Sequence, residues 1–351
     1  MQDTRFPVLV TGIGGGGHGE QILKALKLGS IKYLIVGADA NAQCANRHEV
    51  DHFAVLPLAR DPTYLDHVVL LAQRFSCRAL FHGSEAEMMV FSHAREVLSG
   101  KGIYVPVNPP SVMDICQDKA KTMEFLAARG IKVPAFREVR RIADCADYNV
   151  FPAVIKPSAG GGSANVFIVQ TKDELRLFSE YLLRICDRFV IQEYVGSAEE
   201  EFTVGVLFGA DGELINSIAV KRVVNNALTI RTSVPNRSGR RDLGDRLVIS
   251  TGISQGHVAD WKEIRSQCEK IACLLQPRAP VNIQCRFVKG NVIPFEINPR
   301  FSGTTSLRAL AGYNEPDILV RRDVLGEKIK PNFSYQEVLI LRGLKENVVA
   351  A

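Results

Sequence analysis

The chain has 351 residues, is 46% hydrophobic and 23% charged, and carries a formal net charge of +5, which describes a globular protein of two or three domains with sizeable cores. Its lysines and arginines are dispersed rather than gathered into a stripe, which argues against a nucleic-acid partner and favours small anionic substrates. No apolar run approaches the length of a membrane span and residues 1–5 lack a signal-peptide pattern, so a cytoplasmic protein with no membrane partner is expected. Eight scattered cysteines show neither zinc-type pairing nor a disulfide framework and read as buried thiols of a reducing compartment.

In chain order, the first predicted element is a strand over 6–11. A glycine loop follows (Gly12, Gly14, Gly15, Gly16, Gly17), then a helix over 20–28 and a strand over 33–36 ending at Gly37-Ala38-Asp39. Strand, glycine loop, helix, strand and acid fit the dinucleotide fingerprint, with Asp39 about 20 residues beyond the glycines. A helix over 64–75, a strand over 79–82, a helix over 85–98 and a strand over 103–105 continue the alternation, which predicts an α/β, doubly wound parallel sheet. Asn108-Pro109-Pro110 marks a linker, so a first domain over 1–107 is expected.

Ser111 and Asp114 read as the cap of a helix running to Arg129 and stopped by Gly130. Next come a strand over 153–156, the loop Pro157-Ser158-Ala159-Gly160-Gly161-Gly162-Ser163 and a strand over 166–169. Thr171 and Glu174 cap a helix over 175–186, and a strand over 189–192 closes a small unit, making 108–194 a second segment. Beyond it, strands over 202–208 and 214–224 about the turn 209–212, then a helix over 261–275, suggest a mostly antiparallel segment over 195–351. Arg231, Arg237, Arg240, Arg241 and Arg246 crowd a stretch also holding Pro235, Gly239 and Gly244. Such a run is either a solvated loop or a grip for a carboxylate or phosphate.

The most informative stretch is 292–300, VIPFEINPR, in which Glu296, Asn298 and Arg300 fall at every second position and therefore on one face of a strand. A strand over 282–287 precedes it. Folding the two about Gly290 sets Gln284 opposite Glu296 and Asn282 opposite Asn298. An ordinary hairpin with a solvated polar face would share the period, but the following arginine and the opposed glutamine favour a site for a divalent cation and the phosphates it bridges. Upstream, Lys119 lies on the capped helix and Lys156 ends a strand directly before Gly160, Gly161, Gly162 and Ser163. Backbone amides of a glycine loop can approach phosphate oxygens. The lysine precedes the glycines, so this is not a Walker A loop.

Lys119, Lys156-Pro157 with its glycine loop, Gln192-Glu193-Tyr194-Val195, Glu201-Phe202-Thr203-Val204, Gln284 and Glu296-Ile297-Asn298-Pro299-Arg300 resemble, in order and approximate spacing, the ATP-grasp superfamily. The resemblance is to the modules of carbamoyl phosphate synthase large subunits and related carboxylate–amine ligases, and it covers nearly the whole chain. It implies an N-terminal doubly wound domain followed by a two-part ATP-grasp domain. It further implies that Lys119 and Lys156 bind ATP phosphates under the loop Gly160 to Ser163, that Glu193, Tyr194 and Val195 form a hinge against adenine, and that Glu201 takes the ribose hydroxyls. Gln284, Glu296 and Asn298 would hold Mg²⁺, expected as two ions for which Mn²⁺ can substitute. Arg300, with Lys156, would stabilise the transferring phosphoryl group.

The implied reaction is phosphorylation of a small carboxylic acid to an acyl phosphate and its capture by an amine, releasing ADP and phosphate. Many members place Asp where Gln284 stands, which lowers the negative charge available to metals. With one grasp unit and no glutaminase segment, a complete glutamine-dependent carbamoyl phosphate synthase is not expected. Lys221, Arg222, Arg231, Ser302, Gly303 and Thr304 are candidates for gripping substrate, against surface charge and a small-residue turn. Glu85 and Glu87 are candidates for a substrate amine, against helix-dipole stabilisation. A homodimer is one assembly compatible with this reading. Two alternatives stand beside it: an NAD(P)-dependent oxidoreductase using loop 12–17 and Asp39, for which tight binding of NAD or NADP is not expected, and a noncatalytic nucleotide-binding subunit.

Overall fold

The structure, a computed structural model, describes residues 4–15, 17–160 and 165–344. Its N-terminal sheet is parallel, in the order β3-β2-β1-β4, built from β1 (Phe6–Thr11), β2 (Tyr33–Asp39), β3 (His52–Val55) and β4 (Ala79–Phe81). Helix α1 (His18–Lys27) follows the glycine loop and buries Ile22, Leu23 and Leu26, with Glu20 in its first turn and Lys24 and Lys27 in its last, as the helix dipole favours. Helix α2 (Tyr64–Arg74) precedes β4. The helix expected over 85–98 divides into α3 (Glu85–His93) and α4 (Arg95–Gly100) at Ala94, whose ψ of 7° leaves the helical region. The expected strand over 103–105 is a single parallel bridge, Ala79 to Tyr104.

The helix expected over 111–129 is also two: α5 (Pro110–Cys116), with proline in its first turn, and α6 (Lys119–Ala127). Ser111 does not cap either. Asp118 does, its extended backbone breaking the run while its carboxylate accepts from the N–H groups of Ala120 and Lys121. That break matters for the site, because it makes Lys119 the first residue of a helix. Gly130 follows with φ +73°, the left-handed conformation that ends the segment.

A four-stranded antiparallel sheet comes next, ordered β5-β8-β6-β7, from β5 (Phe136–Val139), β6 (Ala153–Pro157), β7 (Phe167–Val169) and β8 (Phe189–Glu193). Helix α7 (Lys172–Ile185) is capped by Thr171, which accepts from Glu174 N–H, and packs Leu175 and Leu182 with Ile155, Phe189 and Ile191. The larger antiparallel sheet contains β9 (Glu201–Phe208) and β10 (Leu214–Arg222). The arginine-rich stretch then forms much of a separate hairpin, β11 (Ile230–Pro235) with β12 (Arg246–Ser250), where only a loop was expected. After β13 (Gly256–Val258) and α8 (Lys262–Cys273) come β14 (Val281–Val288), β15 (Asn291–Asn298), α9 (Thr305–Leu310), α10 (Glu315–Leu319) and β16 (Val338–Ile340). The sheet order is β15-β14-β9-β10-β13-β16.

One face of this sheet is apolar and covered by α8, where Ile264, Cys268 and Ile271 meet Phe202, Val204 and Ile283. The alternate residues of β9 and β14 are polar and face the other way. All eight cysteines are free; six are buried, but Cys186 is half-buried and Cys273 is exposed. Among the described residues no helix is long and apolar enough to cross a membrane.

Gly205 shows how tightly the polar face is built. A Cβ there would lie 2.1 Å from Arg308 Nη1, and that guanidinium is fixed by Glu315 at 3.0 Å and by Asn282 Oδ1 at 2.7 Å. Gly205→Ala is expected to cost about 1–3 kcal/mol through overpacking against a side chain that cannot move away. Urea unfolding should show a lower midpoint with an unchanged slope; a wild-type midpoint would contradict this packing.

Candidate functional site

A cavity of about 240 Å³ lies between the β5-β8-β6-β7 sheet and the β9–β14–β15 edge of the larger one. Its lining mixes apolar side chains, Val154, Ile293, Phe295 and Val248 among them, with the polar Lys119, Lys156, Gln284 and Glu296. The pairing of β14 with β15 places the polar groups. Gln284 is opposite Glu296 and Asn282 is opposite Asn298, as expected, yet the hairpin does not turn about Gly290 alone. Val288 pairs with Asn291, so the turn is the two residues Lys289 and Gly290, both with positive φ (49° and 78°). The register then shifts between Gln284 and Cys285, leaving Phe295 as an extra residue in β15. The bulge restores the expected pairing.

The bulge also has a chemical consequence: Lys156 Nζ donates to the Phe295 carbonyl at 3.2 Å. This lysine is 5% exposed, and burial pulls its pKa down to about 8, with Glu296 opposing the shift and Lys119 adding to it. Lys119 is clipped to the glycine-loop strand twice, by its N–H to Ser158 O at 2.9 Å and by Nζ to Gly160 O at 2.6 Å. Gly160, with φ +95°, is in a conformation that suits glycine. Gly161, Gly162 and Ser163, like Gly16 of the first loop, lie outside the described residues.

Gln284 makes no side-chain hydrogen bond among the described residues, and Glu296 receives only Asn298 Nδ2 at 3.3 Å. A free amide oxygen beside a lightly engaged carboxylate is a donor set that a hard divalent cation accepts. Asn298 Oδ1 instead accepts from Arg300 Nη2 at 3.1 Å, and the same nitrogen donates to Glu85 at 3.1 Å. Glu296, Asn298, Arg300 and Glu85 thus form a hydrogen-bonded chain from the cavity to α3 of the first domain. Asn298 and Arg300 are not among the residues that line the cavity.

Glu193, Tyr194 and Val195 line the cavity at the end of β8. The Tyr194 side chain is buried, its hydroxyl accepting from Val248 N–H at 2.8 Å and donating to Val248 O at 3.1 Å. The Val195 N–H has no partner among the described residues. Glu201 also lines the cavity but is not a free side chain. Arg222 on β10 and Arg286 on β14 flank it across neighbouring strands, and its Oε1 accepts from Arg222 at 2.8 Å and Ser250 at 2.5 Å while Oε2 accepts from Arg286 at 3.3 Å. Burial pushes the Glu201 carboxyl up, and the two guanidiniums more than offset this, holding it below the usual range. Of about four lone-pair sites on a carboxylate, about one is left, so Glu201 can serve one ribose hydroxyl, not the pair expected of it.

Several expected substrate residues are not at the site. Arg222 is consumed by Glu201, Ser250 and Thr251 O. Lys221, its neighbour, faces the opposite side of the sheet, 6.0 Å above the Trp261 ring. Arg231 is exposed on β11 and lines no part of the cavity. The hydroxyls of Ser302 and Thr304 bond each other in the turn before α9, and Gly303 approaches Gly252 so closely that a Cβ would lie 2.6 Å from its carbonyl. Glu87 is spent on Tyr64 and on the N–H groups of Gly83 and Ser84. Of the arginine-rich stretch, Arg240 alone approaches the cavity, 3.8 Å from Glu193.

The described residues of the first glycine loop are held by close neighbours. Asp39 Oδ2 accepts from Gly14 N–H at 2.8 Å, and a Cβ at Gly19 or Gly83 would lie 2.3 Å from Gly12 O. The acid that would hold a dinucleotide ribose is therefore spent on the loop, and backbone occupies the place beside Gly12. Arg286 lines the cavity as well and was not singled out as a site candidate from the sequence. Its signal was present, because Asn282, Gln284 and Arg286 repeat the same period of two that singled out Glu296, Asn298 and Arg300.

A family model described as an ATP-grasp domain matches residues 116–304, more than half of the chain. The chain belongs to the ATP-grasp family. A D-alanine–D-alanine ligase of Bacillus anthracis is 32% identical over 111 residues, 30% of this chain and 35% of that protein. A carbamoyl phosphate synthase large chain of Thermoplasma acidophilum is 24% identical over 224 residues, 62% of this chain and 20% of that protein. The chain thus aligns with about a third or less of the length of these two relatives. Among solved structures, an L-amino acid ligase from Bacillus licheniformis superposes with a TM-score of 0.62 at 18% identity, covering 94% of this chain and 78% of that one, a likeness of fold.

Removing Glu201 leaves two guanidiniums buried without a counter-charge, which costs about 3–5 kcal/mol. Glu201→Ala should therefore lower the unfolding free energy by that amount in urea titrations. An unfolding curve matching wild type would show that the triad does not carry the sheet.

Proposed function

We propose that this chain is an ATP-dependent carboxylate–amine ligase. The observation that carries the reading is that Lys119, Lys156, Glu296 and Gln284, whose side chain has no hydrogen-bond partner among the described residues, line one cavity together with apolar side chains. The apolar lining suits a purine ring, and the N–H of Val195, without a partner among the described residues, offers an edge contact. Two cations and a glycine loop suit the phosphates. Gln284 and Glu296, with Asn298 behind them, would hold Mg²⁺, as two ions or with Mn²⁺ in its place; the bound cation would supply charge neutralisation at the phosphoryl groups.

In the reaction we propose, a carboxylate oxygen of the substrate forms a bond to the γ-phosphorus as the bond to ADP breaks. The nitrogen of an amine then bonds the acyl carbon, phosphate leaves, and the amine gives up a proton. No protein nucleophile is required. Lys156, desolvated and beside the glycine loop, would hold transferring charge, and Arg300, braced by Asn298 and Glu85, would stabilise it from behind. The relatives support this reading in kind, being named as ligases and a synthase. We further propose three working units over 1–107, 108–194 and 195–351, with the middle one moving over bound nucleotide. The separate sheets support that division.

Lys156→Ala and Glu296→Gln should each lower Mg²⁺/ATP-dependent phosphate release by about 10²–10³-fold in a screen against pooled amino acids and small acids, with products identified by mass spectrometry and folding checked by circular dichroism. Unchanged release in either folded variant, or AMP as the nucleotide product, would refute the proposal. The charge on Lys156 is present below its pKa of about 8 and lost above it. The kcat/KM for ATP, which follows the free protein's ionisation, should therefore fall as pH rises through about 8. Lys156→Arg should move that fall to higher pH, since guanidinium stays charged.

A further inference from the structure

A second cavity, of about 400 Å³, lies between α1 and the segment around Arg342. Five of its described lining residues are charged: Glu20, Lys24, Lys27, Glu49 and Arg342. Lys24 is paired with Glu20, and Lys27 with Glu49. Arg342 has no carboxylate within ion-pair distance among the described residues. Its Nη2 donates to Gly303 O at 2.7 Å and lies 3.4 Å from Ser306 Oγ, which leaves Nε and Nη1 without partners among the described residues. Burial lowers its pKa, a sign that the charge is desolvated without full compensation, and Glu20 opposes the shift.

A half-buried guanidinium with no ion-paired carboxylate among the described residues keeps donors that an anion can engage. Arg222, Arg286 and Arg308, the other buried arginines near the large sheet, each have a carboxylate. Beside Arg342, Gln21 accepts from Ser306 Oγ at 2.6 Å through Oε1, and its Nε2 has no partner among the described residues. Two donors are thus free in one wall. Leu228 and Ile253 supply an apolar wall.

We propose that this cavity holds the carboxylate of a substrate with an apolar body, with Arg342 and Gln21 as its donors. Arg342 is tied through Gly303 O to the turn that follows Arg300 in the chain. In taking the ligand to be one of the two substrates, the inference rests on the ligase reading. The chemistry it selects is an amino or organic acid whose carboxylate is recognised rather than activated.

The test is calorimetric titration of the full chain with L-leucine, L-leucinamide and inorganic phosphate, with ADP and Mg²⁺ binding measured on the same samples. L-leucine should bind and L-leucinamide, which lacks the carboxylate, should not. Arg342→Gln should weaken L-leucine binding about tenfold to a hundredfold, the range for a charge-assisted hydrogen bond, while leaving ADP binding unchanged. Ile253→Glu, at a partly exposed position of the wall, should abolish L-leucine binding by supplying the missing counter-charge without disturbing the fold. No binding of L-leucine, equal binding of the amide, binding of phosphate alone, or wild-type affinity in both variants would overturn the proposal. Loss of ADP binding in the wild-type protein would instead sink the ligase reading and leave the leucine result to stand by itself.

Discussion

The pairing of β9, β14 and β15, with one residue too many at Phe295, is the constraint on which the candidate site depends. Pairing in register places Glu201 between Arg286 and Arg222, and Gln284 against Glu296. The extra residue bends the edge strand and leaves a carbonyl free to hold Lys156 from a different sheet. Because side chains alternate across a strand, a slip of one residue would turn every one of these groups toward α8. The apolar packing of Phe202, Val204 and Ile283 on that helix therefore protects the polar face as much as it stabilises the sheet.

Charge on the polar face is arranged in two ways. Deep in the sheet, Glu201 is neutralised by two arginines, and Arg308 is matched by Glu315, both fully buried. These groups satisfy one another and leave little for a ligand. Toward the cavity, among the described residues, Lys119 and Lys156 have only carbonyl partners and Gln284 has none. A site left with unneutralised cations and open acceptors is poised for a ligand carrying negative charge and a metal. Arg342 extends the same logic to the second cavity. The chain of Glu296, Asn298, Arg300 and Glu85 joins the first cavity to the first domain.

Much of this was legible beforehand where the signal is local. The period of two in Glu296, Asn298 and Arg300, the lysine before the glycines and the alternation of the first hundred residues all follow from backbone geometry. The expected pairing of Gln284 with Glu296 is present, although the turn is centred half a residue earlier and the bulge makes up the difference. What local reading could not weigh was competition for the same groups. Ser111 falls inside α5, and Asp118, where the run breaks, caps α6 instead. Arg222 lies beside the cavity yet belongs to Glu201, and Lys221, one residue away, faces the other side.

The sequence by itself determined the class of fold and the residue types that meet a phosphate and a cation, because those depend on spacing along a helix or strand. Only the tertiary structure decided which of them remain available. Whether a carboxylate or guanidinium is free depends on partners far away in the chain, as Arg222 and Arg286 are for Glu201 and as no carboxylate is for Arg342 among the described residues. Those partners are chosen by sheet register and burial, which no local pattern encodes.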